Sequence, residues 1–401
     1  MVWTRLRVQS RLRLSIERDW VRLLSSSVPP MLRRFLCTCS SSSGGASTVA
    51  VTASASAAAS SKKKNVVFLG SPQVSASVLD KLILASQASH SIFKLAAVVT
   101  QPPSVRDRGR KKLMPSAVAQ LALDKGFPQH LIFTPDRAGE ANFLSNLKGL
   151  NPDLCITAAY GNILPQRFLD IPPCGTVNIH PSLLPLYRGA APVQRALQDG
   201  VTETGVSLAY TIRALDAGPV IAYEKFQVDD SIKAPELLSI LFDLGSGLLI
   251  RELPFILDGS TKVKALPQDD SKATLAPKLT SEESWLSFDQ EAPVLHNKVR
   301  AFTGWPGTRA KIQVANSKTN GFDLLDIKVI STRVCHKGIQ PRDKNEILFS
   351  GDALQIPCAG ESWLEVTELQ LPGKKVMRAR DFWNGLHGQK LKLPSQLEIL
   401  A

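Results

Sequence analysis

The chain has 401 residues, of which 44% are hydrophobic and 21% are charged, which fits two globular domains with extensions and argues against a disordered protein. The formal net charge is +13. Residues 1–64 hold eight Arg and three Lys against only Glu17 and Asp19, which is +9, so +4 is left for the remainder. A basic surface for nucleic acid on the body of the protein must therefore be local.

The first 64 residues are rich in Arg and Ser and nearly free of acidic residues. This composition is typical of a mitochondrial transit peptide. The Ser/Ala/Gly run at 40–61 cannot bury a core and is expected to be disordered. The alternative is a low-complexity tail without a targeting role. We expect a transit peptide and disordered segment at 1–64, and a protein of the mitochondrial matrix.

Membrane and metal sites are not indicated by the sequence. The longest apolar stretch, 237–257, is interrupted by charged residues and by Pro254, which favours an amphipathic helix that faces the core. The cysteines outside the N-terminal segment are scattered, without the short spacing of a zinc site, and fit a reducing compartment. We expect no metal and no membrane partner.

Residues 65–265 alternate between apolar, strand-like runs and segments with helical periodicity, which predicts a doubly wound α/β domain. Its active site is expected at the carboxyl ends of the strands. Gly70-Ser71-Pro72 follows the first strand instead of a G-x-G-x-x-G motif, which disfavours a dinucleotide site. Predicted strands are 65–70, 95–100, 131–133, 154–159, 174–180, 205–211 and 220–228; predicted helices begin near Ser71-Pro72 and Pro115 and cover 139–148 and 190–198.

A polar linker is predicted at 266–280, and a second domain at 281–401. Its short strands, at 310–314, 324–329, 347–349, 354–356 and 363–369, suggest a small β-barrel. From residue 295 onward, Lys and Arg outnumber Asp and Glu by six. Trp305 and Trp383 are expected to pack in the core rather than to stack on bases.

The predicted strand 174–180 ends with two polar side chains that are suited to catalysis. Asn178 and His180 are two residues apart, so an extended strand places both side chains on one face. Pro181 then ends the strand because proline cannot donate to a ladder. An amide that can donate to an oxyanion, beside a base that can move a proton, suits acyl transfer. Asp216 lies in a loop, where Asp usually serves turn formation.

Asn178-x-His180-Pro181-Ser182-Leu183-Leu184-Pro185, followed by Arg188-Gly189, resembles the signature of the folate-dependent formyltransferases. Leu215-Asp216-Ala217-Gly218-Pro219 resembles the second motif of that family, which supplies its catalytic Asp. The resemblance runs from about Asn65 to the C-terminus and is closest to the methionyl-tRNA formyltransferases. It implies a Rossmann-like formyltransferase domain followed by a smaller OB-like β-barrel domain.

The resemblance also implies the reaction, which is formyl transfer from 10-formyltetrahydrofolate to the α-amino group of methionyl-tRNA for initiation of mitochondrial translation. Asn178 would donate to the oxyanion, His180 would move a proton, and Asp216 would orient His180 and stabilise its imidazolium form. The division of proton transfers between His180 and Asp216 stays open. The resemblance assigns folate binding to the turn formed by Ser182, Leu183, Leu184 and Pro185. The alternative is that this turn only leads into the following helix.

Two basic segments are predicted to bind tRNA. The first follows the second strand and comprises Arg106, Arg108, Arg110, Lys111 and Lys112. Its composition alone would suggest solvated surface, but it leaves the active-site edge of the sheet and resembles the basic insertion of methionyl-tRNA formyltransferases. The second lies in the C-terminal domain and comprises Lys374, Lys375 and Arg378. We expect a monomer whose partners are methionyl-tRNA and folate.

Two other functions remain open on the sequence. One is a formyltransferase or formyl-folate hydrolase that acts on a small molecule; the basic run and the C-terminal domain argue against it. The other is a non-catalytic RNA-binding protein built on a formyltransferase scaffold. The presence of Asn178, His180 and Asp216 together argues against this second alternative.

Overall fold

The structure is a computed structural model, and it describes residues 62–105, 113–316, 321–335, 343 and 345–395. The predicted transit peptide, up to residue 61, lies outside the described residues. The basic run from Arg106 to Lys112 lies outside them as well. The fold is therefore described from Lys62 onward.

The first domain contains a seven-stranded sheet with the order β3-β2-β1-β4-β5-β6-β7. Its strands are β1 Lys64–Gly70, β2 Phe93–Val99, β3 Ile132–Phe133, β4 Leu154–Ala158, β5 Thr176–His180, β6 Glu203–Tyr210 and β7 Val220–Gln227. Strands β1 to β5 are parallel, whereas β6 and β7 are antiparallel to their neighbours. The strand order reverses between β1 and β4, where α/β sheets bind ligands. The predicted doubly wound fold is confirmed.

Helices cover both faces of this sheet. They are α1 Gln73–Gln87, α2 Ala117–Asp124, α3 Ala141–Gly149, α4 Gln166–Leu169, α5 Pro192–Gln198, α6 Ala234–Leu257 and α7 Ser260–Lys264. Helix α6 packs closely under the centre of the sheet: a Cβ added to Gly245 would lie 2.5 Å from Cγ2 of Ile179 and 2.8 Å from Cγ2 of Val206. Within the part of the chain that the structure describes, no helix is long and apolar enough to cross a membrane.

The C-terminal domain is a barrel closed by six strands, in the order β11-β10-β14-β8-β9-β12, with β12 returning to pair with β11. Strand β13 extends the sheet beyond β12. The strands are β8 Thr308–Asn316, β9 Gly321–Cys335, β10 Glu346–Ser350, β11 Ala353–Pro357, β12 Trp363–Gln370, β13 Val376–Arg378 and β14 Leu391–Lys392; the helices are α8 Ala292–Ala301 and α9 Ala379–Gly385. The predicted barrel is confirmed, although β13, β14 and both helices were not predicted.

The two tryptophans of the barrel domain have different environments. Trp383 stacks on Phe349, with ring centroids 5.5 Å apart, and packs against the barrel core as expected. Trp305 is 55% exposed, so the prediction that it packs in the core is wrong. Its neighbours Gly304 and Gly307 have φ of +92° and +77°. The aromatic residue therefore sits in a surface turn before β8, where it has no core to enter.

The segment predicted as a polar linker folds back onto the first domain. Residues 266–276, which we call the strap, make backbone bridges at both ends. Leu266 exchanges two hydrogen bonds with Val220, at 2.8 and 2.9 Å. Arg188 donates through its backbone N–H to the carbonyl of Thr274 at 2.8 Å, and its own carbonyl accepts from the N–H of Ala276 at 2.7 Å. The strap is therefore ordered against the loop that follows β5.

The barrel domain docks onto the first domain through α8. The Arg300 side chain donates to the carbonyl of Asp229 at 2.9 Å, and the ring of His296 lies 3.0 Å from the carbonyl of Asp230. A second contact joins Arg195 of α5 to Glu283, which precedes α8, through two hydrogen bonds of 2.6 and 3.1 Å. This partly buried pair lowers the pKa of the Glu283 carboxyl.

Candidate active site

Strand β5 presents two polar side chains to one face of the sheet. Val177 and Ile179 are fully buried and alternate with Asn178 and His180 along the strand. Because the burial of the two apolar residues fixes the register, the polar pair is held on the opposite face. Strand β5 is hydrogen-bonded to β4 on one side and to β6 on the other. The pair therefore sits on one of the most constrained parts of the fold.

Asn178 is oriented by a hydroxyl from the neighbouring strand. Thr157 of β4 is buried, and its Oγ1 donates to Oδ1 of Asn178 at 2.7 Å. Because a carboxamide accepts through its oxygen and donates through its nitrogen, this bond points the Nδ2 group away from β4. In the described part of the chain that Nδ2 group has no hydrogen-bond partner. It is available to donate to a ligand.

His180 is buried, with 4% of its surface exposed. Its Nε2 lies 2.9 Å from the carbonyl oxygen of Tyr187. A carbonyl only accepts, so Nε2 carries the proton in the neutral ring and Nδ1 carries the lone pair. Nδ1 is 3.8 Å from Oδ1 of Asp216. The nitrogen that can accept a proton is therefore the one beside the carboxylate.

Asp216 lies in the loop between β6 and β7, at a positive φ of 46°. Its Oδ2 accepts a hydrogen bond of 3.0 Å from the backbone N–H of Gly189. Gly189 itself has φ of +130°, and a Cβ there would lie 2.6 Å from the carbonyl oxygen of Ala276. Only glycine fits so close to the strap at that backbone angle. The carboxylate is thus joined to the loop that follows β5.

The structure therefore brings Asn178, His180 and Asp216 together, and the arrangement offers an amide donor, a proton acceptor and a carboxylate. No group of His, Cys, Asp and Glu residues suited to a metal ion occurs among the described residues. The chemistry that this site supports with its own side chains is acyl transfer to a nucleophile.

Models of two protein domains match the chain. The model described as formyl transferase matches residues 63–253, and the formyl transferase C-terminal domain matches residues 278–387. The methionyl-tRNA formyltransferase of Moorella thermoacetica is 36% identical over 322 residues, which is 80% of this chain and 96% of the relative. The chain belongs to the methionyl-tRNA formyltransferase family. It is an enzyme of formyl transfer.

Other relatives agree. The methionyl-tRNA formyltransferase of Myxococcus xanthus is 36% identical over 332 residues, covering 82% of this chain and 97% of the relative. Among solved structures, a sugar 3N-formyl transferase in the presence of dTDP and 5-N-formyl-THF superposes with a TM-score of 0.52 at 16% identity, over 78% of this chain and all of that chain. At this identity the superposition shows a shared fold.

In this formyltransferase the turn predicted to bind folate is bonded internally. Ser182 is fully buried, and its hydroxyl donates to the carbonyl of Leu186 at 2.6 Å. The N–H of Leu184 donates to Oγ of Ser207 at 3.0 Å. Leu183, Leu184 and Pro185 are half-buried and reachable by a ligand. The Ser182 hydroxyl therefore shapes the turn, and the predicted folate contact of Ser182, Leu183, Leu184 and Pro185 stays a prediction.

The predicted tRNA contacts divide between two places. The basic run lies outside the described residues, but both of its flanks are described. Ser104 and Met114 exchange two backbone hydrogen bonds of 3.0 Å, and the hydroxyls of Thr100 and Ser116 are 2.6 Å apart. The two described flanks therefore lie beside the carboxyl end of β2. Lys374, Lys375 and Arg378 are exposed between β12 and α9 of the barrel domain.

Sequence reasoning missed three supports of this site. The carbonyl of Tyr187 sets the ring tautomer of His180, Thr157 orients Asn178, and the strap contacts the loop that carries Gly189. A threonine in the middle of a predicted buried strand was a usable signal, because a buried hydroxyl needs a partner. The other two supports act through backbone groups, which leave no mark in the sequence.

Proposed function

We propose that this formyltransferase moves the formyl group of 10-formyltetrahydrofolate to the α-amino group of methionyl-tRNA, and that it does so in the mitochondrial matrix to supply the initiator of translation. The observation that carries the proposal is the convergence of Asn178, His180 and Asp216 at one site. The family to which the chain belongs supports the donor and the acceptor.

The first step is attack of the amine on the formyl carbon. An α-amino group has a pKa near 8, so a useful fraction is neutral at the pH of the matrix. As the new C–N bond forms, the formyl oxygen takes up negative charge. The Nδ2 group of Asn178 faces away from Thr157 and would donate to that oxygen.

The amine must then lose a proton, and the leaving folate nitrogen must gain one. Nδ1 of His180 has the lone pair and takes the proton from the amine. The carboxylate of Asp216 stabilises the imidazolium that results. The same proton passes to N10 of the folate as the C–N10 bond breaks. The products are formylmethionyl-tRNA and tetrahydrofolate, and no other reactant is required.

Methionyl-tRNA needs a surface that binds phosphate, and the proposal assigns this role to the basic run and to Lys374, Lys375 and Arg378. The described flanks of the run lie beside the carboxyl end of β2, at the edge of the sheet where such folds bind ligands, which supports this assignment. Each phosphate contact lowers the slope of log affinity against log salt by roughly 0.7 to 0.9. The triple variant Arg106→Ala/Arg108→Ala/Arg110→Ala should use methionyl-tRNA less well, with a shallower salt dependence.

A salt series of formylation measures this effect, and tetrahydrofolate binding is the control. If the triple variant formylates methionyl-tRNA like the wild type at every salt concentration, the run is solvated surface. The proposal then loses this part of its tRNA site.

The substrate itself is tested by offering three acceptors in parallel. Purified protein is mixed with 10-formyltetrahydrofolate and methionyl-tRNA, free methionine or an amino sugar, with a water-only control for hydrolysis of the donor. Formylmethionyl-tRNA should be the product formed fastest. Faster formylation of a small amine, or hydrolysis alone, would overturn the proposal. Absence of any turnover together with tRNA binding would favour the non-catalytic alternative.

The location is tested with isolated mitochondria. The full chain should be imported and protected from added protease, whereas a chain that begins at Lys62 should stay outside. Equal import of both forms would contradict a targeting role for the N-terminal segment.

A further inference from the structure

The loop that carries Asp216 has little apolar support of its own. Leu215 is 65% exposed and Ile212 is 44% exposed, although both are large apolar residues. The backbone is also crowded, because a Cβ added to Gly218 would lie 1.8 Å from the carbonyl oxygen of Tyr210. With Asp216 at a positive φ, the loop needs external contacts to keep its shape.

One side chain of the strap supplies such contacts. Nε2 of Gln268 donates to the carbonyl oxygen of Asp216 at 2.8 Å and to that of Gly218 at 2.7 Å. One bond is made to Asp216 itself, whose carboxylate faces His180, and the other is made two residues further along the same loop. They hold the backbone of the loop, while the N–H of Gly189 holds the carboxylate.

The amide of Gln268 can adopt only one orientation. Nε and Nη2 of Arg188 both donate to its Oε1, at 2.9 and 2.7 Å. Because a guanidinium has donors and no acceptor, the oxygen of the amide must face Arg188 and the nitrogen must face the two carbonyls. Arg188 is buried, with 8% of its surface exposed, and its other partner is the exposed carboxylate of Asp270 at 2.8 Å.

We propose that Gln268 is a positioning residue for Asp216, which it serves by holding the backbone of the loop at Asp216 and Gly218. A series of hydrogen bonds runs from Arg188, in the loop that follows His180, through the Gln268 amide to the backbone of Asp216. It ties the relative placement of His180 and Asp216 to a segment more than fifty residues downstream of Asp216. The inference rests on the proposed function, because it assumes that Asp216 acts in formyl transfer.

Gln268→Glu is the sharpest test. The new carboxylate keeps, and strengthens, the bond to Arg188, so the attachment of the strap survives. It lacks the two N–H donors and places an anionic oxygen against two carbonyls. We expect kcat for formylation of methionyl-tRNA to fall roughly 10- to 100-fold, because a small misplacement of a catalytic group has that effect. The KM values of both substrates should change less than about twofold, since uniform binding is untouched.

Two further variants complete the experiment. Gln268→Ala should lose as much kcat as Gln268→Glu. Asp270→Ala is the matched control, because it removes the other partner of Arg188 and leaves Gln268 in place; it should keep wild-type kcat. Melting temperature and tetrahydrofolate affinity are measured for each variant.

The outcomes separate the two levels of the proposal. Wild-type kcat in Asp216→Ala would contradict the proposed function. A loss in Asp216→Ala with wild-type kcat in Gln268→Glu would overturn only the positioning role. An equal loss in Asp270→Ala, or a loss in Gln268→Glu matched by a collapse of melting temperature or folate affinity, would also overturn it and assign the strap a structural role.

Discussion

The two halves of the active site are held in different ways. Asn178 and His180 sit on β5, between two hydrogen-bonded neighbours and above a packed core. Asp216 sits in a loop with exposed apolar side chains, and its position depends on single hydrogen bonds from Gly189 and Gln268. The first half is fixed by the fold itself, whereas the second is fixed by a few polar contacts.

This difference predicts where the enzyme is sensitive. A change beside β5 should alter the chemistry without moving the backbone, because the ladder and the core remain. A change at Gly189 or Gln268 should move the carboxylate, because each of them donates a hydrogen bond to Asp216. The four variants below are ordered by expected effect.

Asn178→Ala should have the largest effect. It removes the donor for the oxyanion from a rigid strand, so kcat should fall on the order of 10²- to 10³-fold. Since the residue is only half-buried, the melting temperature should stay close to that of the wild type. Steady-state formylation and thermal denaturation are measured together. A kcat within threefold of the wild type would remove Asn178 from the mechanism.

Thr157→Val tests the orientation of that amide. The substitution keeps the shape of the buried side chain and removes the hydroxyl that bonds Oδ1 of Asn178. Loss of about one hydrogen bond should lower kcat about 10-fold. In the double variant Thr157→Val/Asn178→Ala, the loss should equal that of Asn178→Ala alone. If instead the kcat losses of the two single variants multiply in the double variant, Thr157 does not act through Asn178.

Gly189→Ala addresses the loop half. Its positive φ and the close approach of Ala276 should make the substitution destabilising by on the order of 1–3 kcal/mol. The matched control is Gly126→Ala, where φ is +75° and no atom lies within 4 Å of the added Cβ. Denaturant unfolding should show a larger loss for Gly189→Ala, with an accompanying fall in kcat. An equal loss of unfolding free energy in the two variants would mean that the strap moves to make room for the added methyl group at little cost.

The smallest effect concerns the contact between the barrel domain and the first domain. His296 donates to the carbonyl of Asp230 and accepts from Thr332, so the neutral ring satisfies both partners. Burial lowers the pKa of His296 below its ordinary value of 6.5. The unfolded chain then binds the proton more tightly, and stability falls as pH drops from about 6.5 toward the folded pKa.

The free energy of unfolding, measured between pH 7.5 and 5.5, should therefore fall more for the wild type than for His296→Gln. His130→Gln is the control, because that histidine is exposed. An identical pH dependence in wild type and His296→Gln would exclude this interface as the acid-sensitive element.

The difference between the strand half and the loop half of the active site also explains which residues could be predicted from the sequence. Strand β5 was predictable because Val177 and Ile179 are apolar, Asn178 and His180 are polar, and a period of two assigns them to opposite faces. The barrel was predictable from its alternating strands. Asp216 was found only through its resemblance to a family motif, since an Asp in a loop has no periodicity to reveal it.

The strap was predicted as a linker for a physical reason. Gln268, Asp269, Asp270 and Ser271 read as a solvated segment, and three of them are largely exposed in the structure. The function of the fourth, Gln268, depends on two carbonyls that lie 50 and 52 residues upstream of it. The prediction for Trp305 was wrong in the opposite direction: its aromatic side chain suggested burial, but Gly304 and Gly307 form a surface turn that exposes it.

The central claim is that the two halves act as one unit, with Asp216 working through Nδ1 of His180. A double-mutant cycle of His180→Ala and Asp216→Ala, with the rate of formyl transfer to methionyl-tRNA measured under single-turnover conditions, tests it most directly. Each single variant should lose on the order of 10²- to 10⁴-fold, and the double variant should be no slower than the slower single variant. Wild-type rates in a folded His180→Ala protein, or losses that multiply in the double variant, would contradict the account.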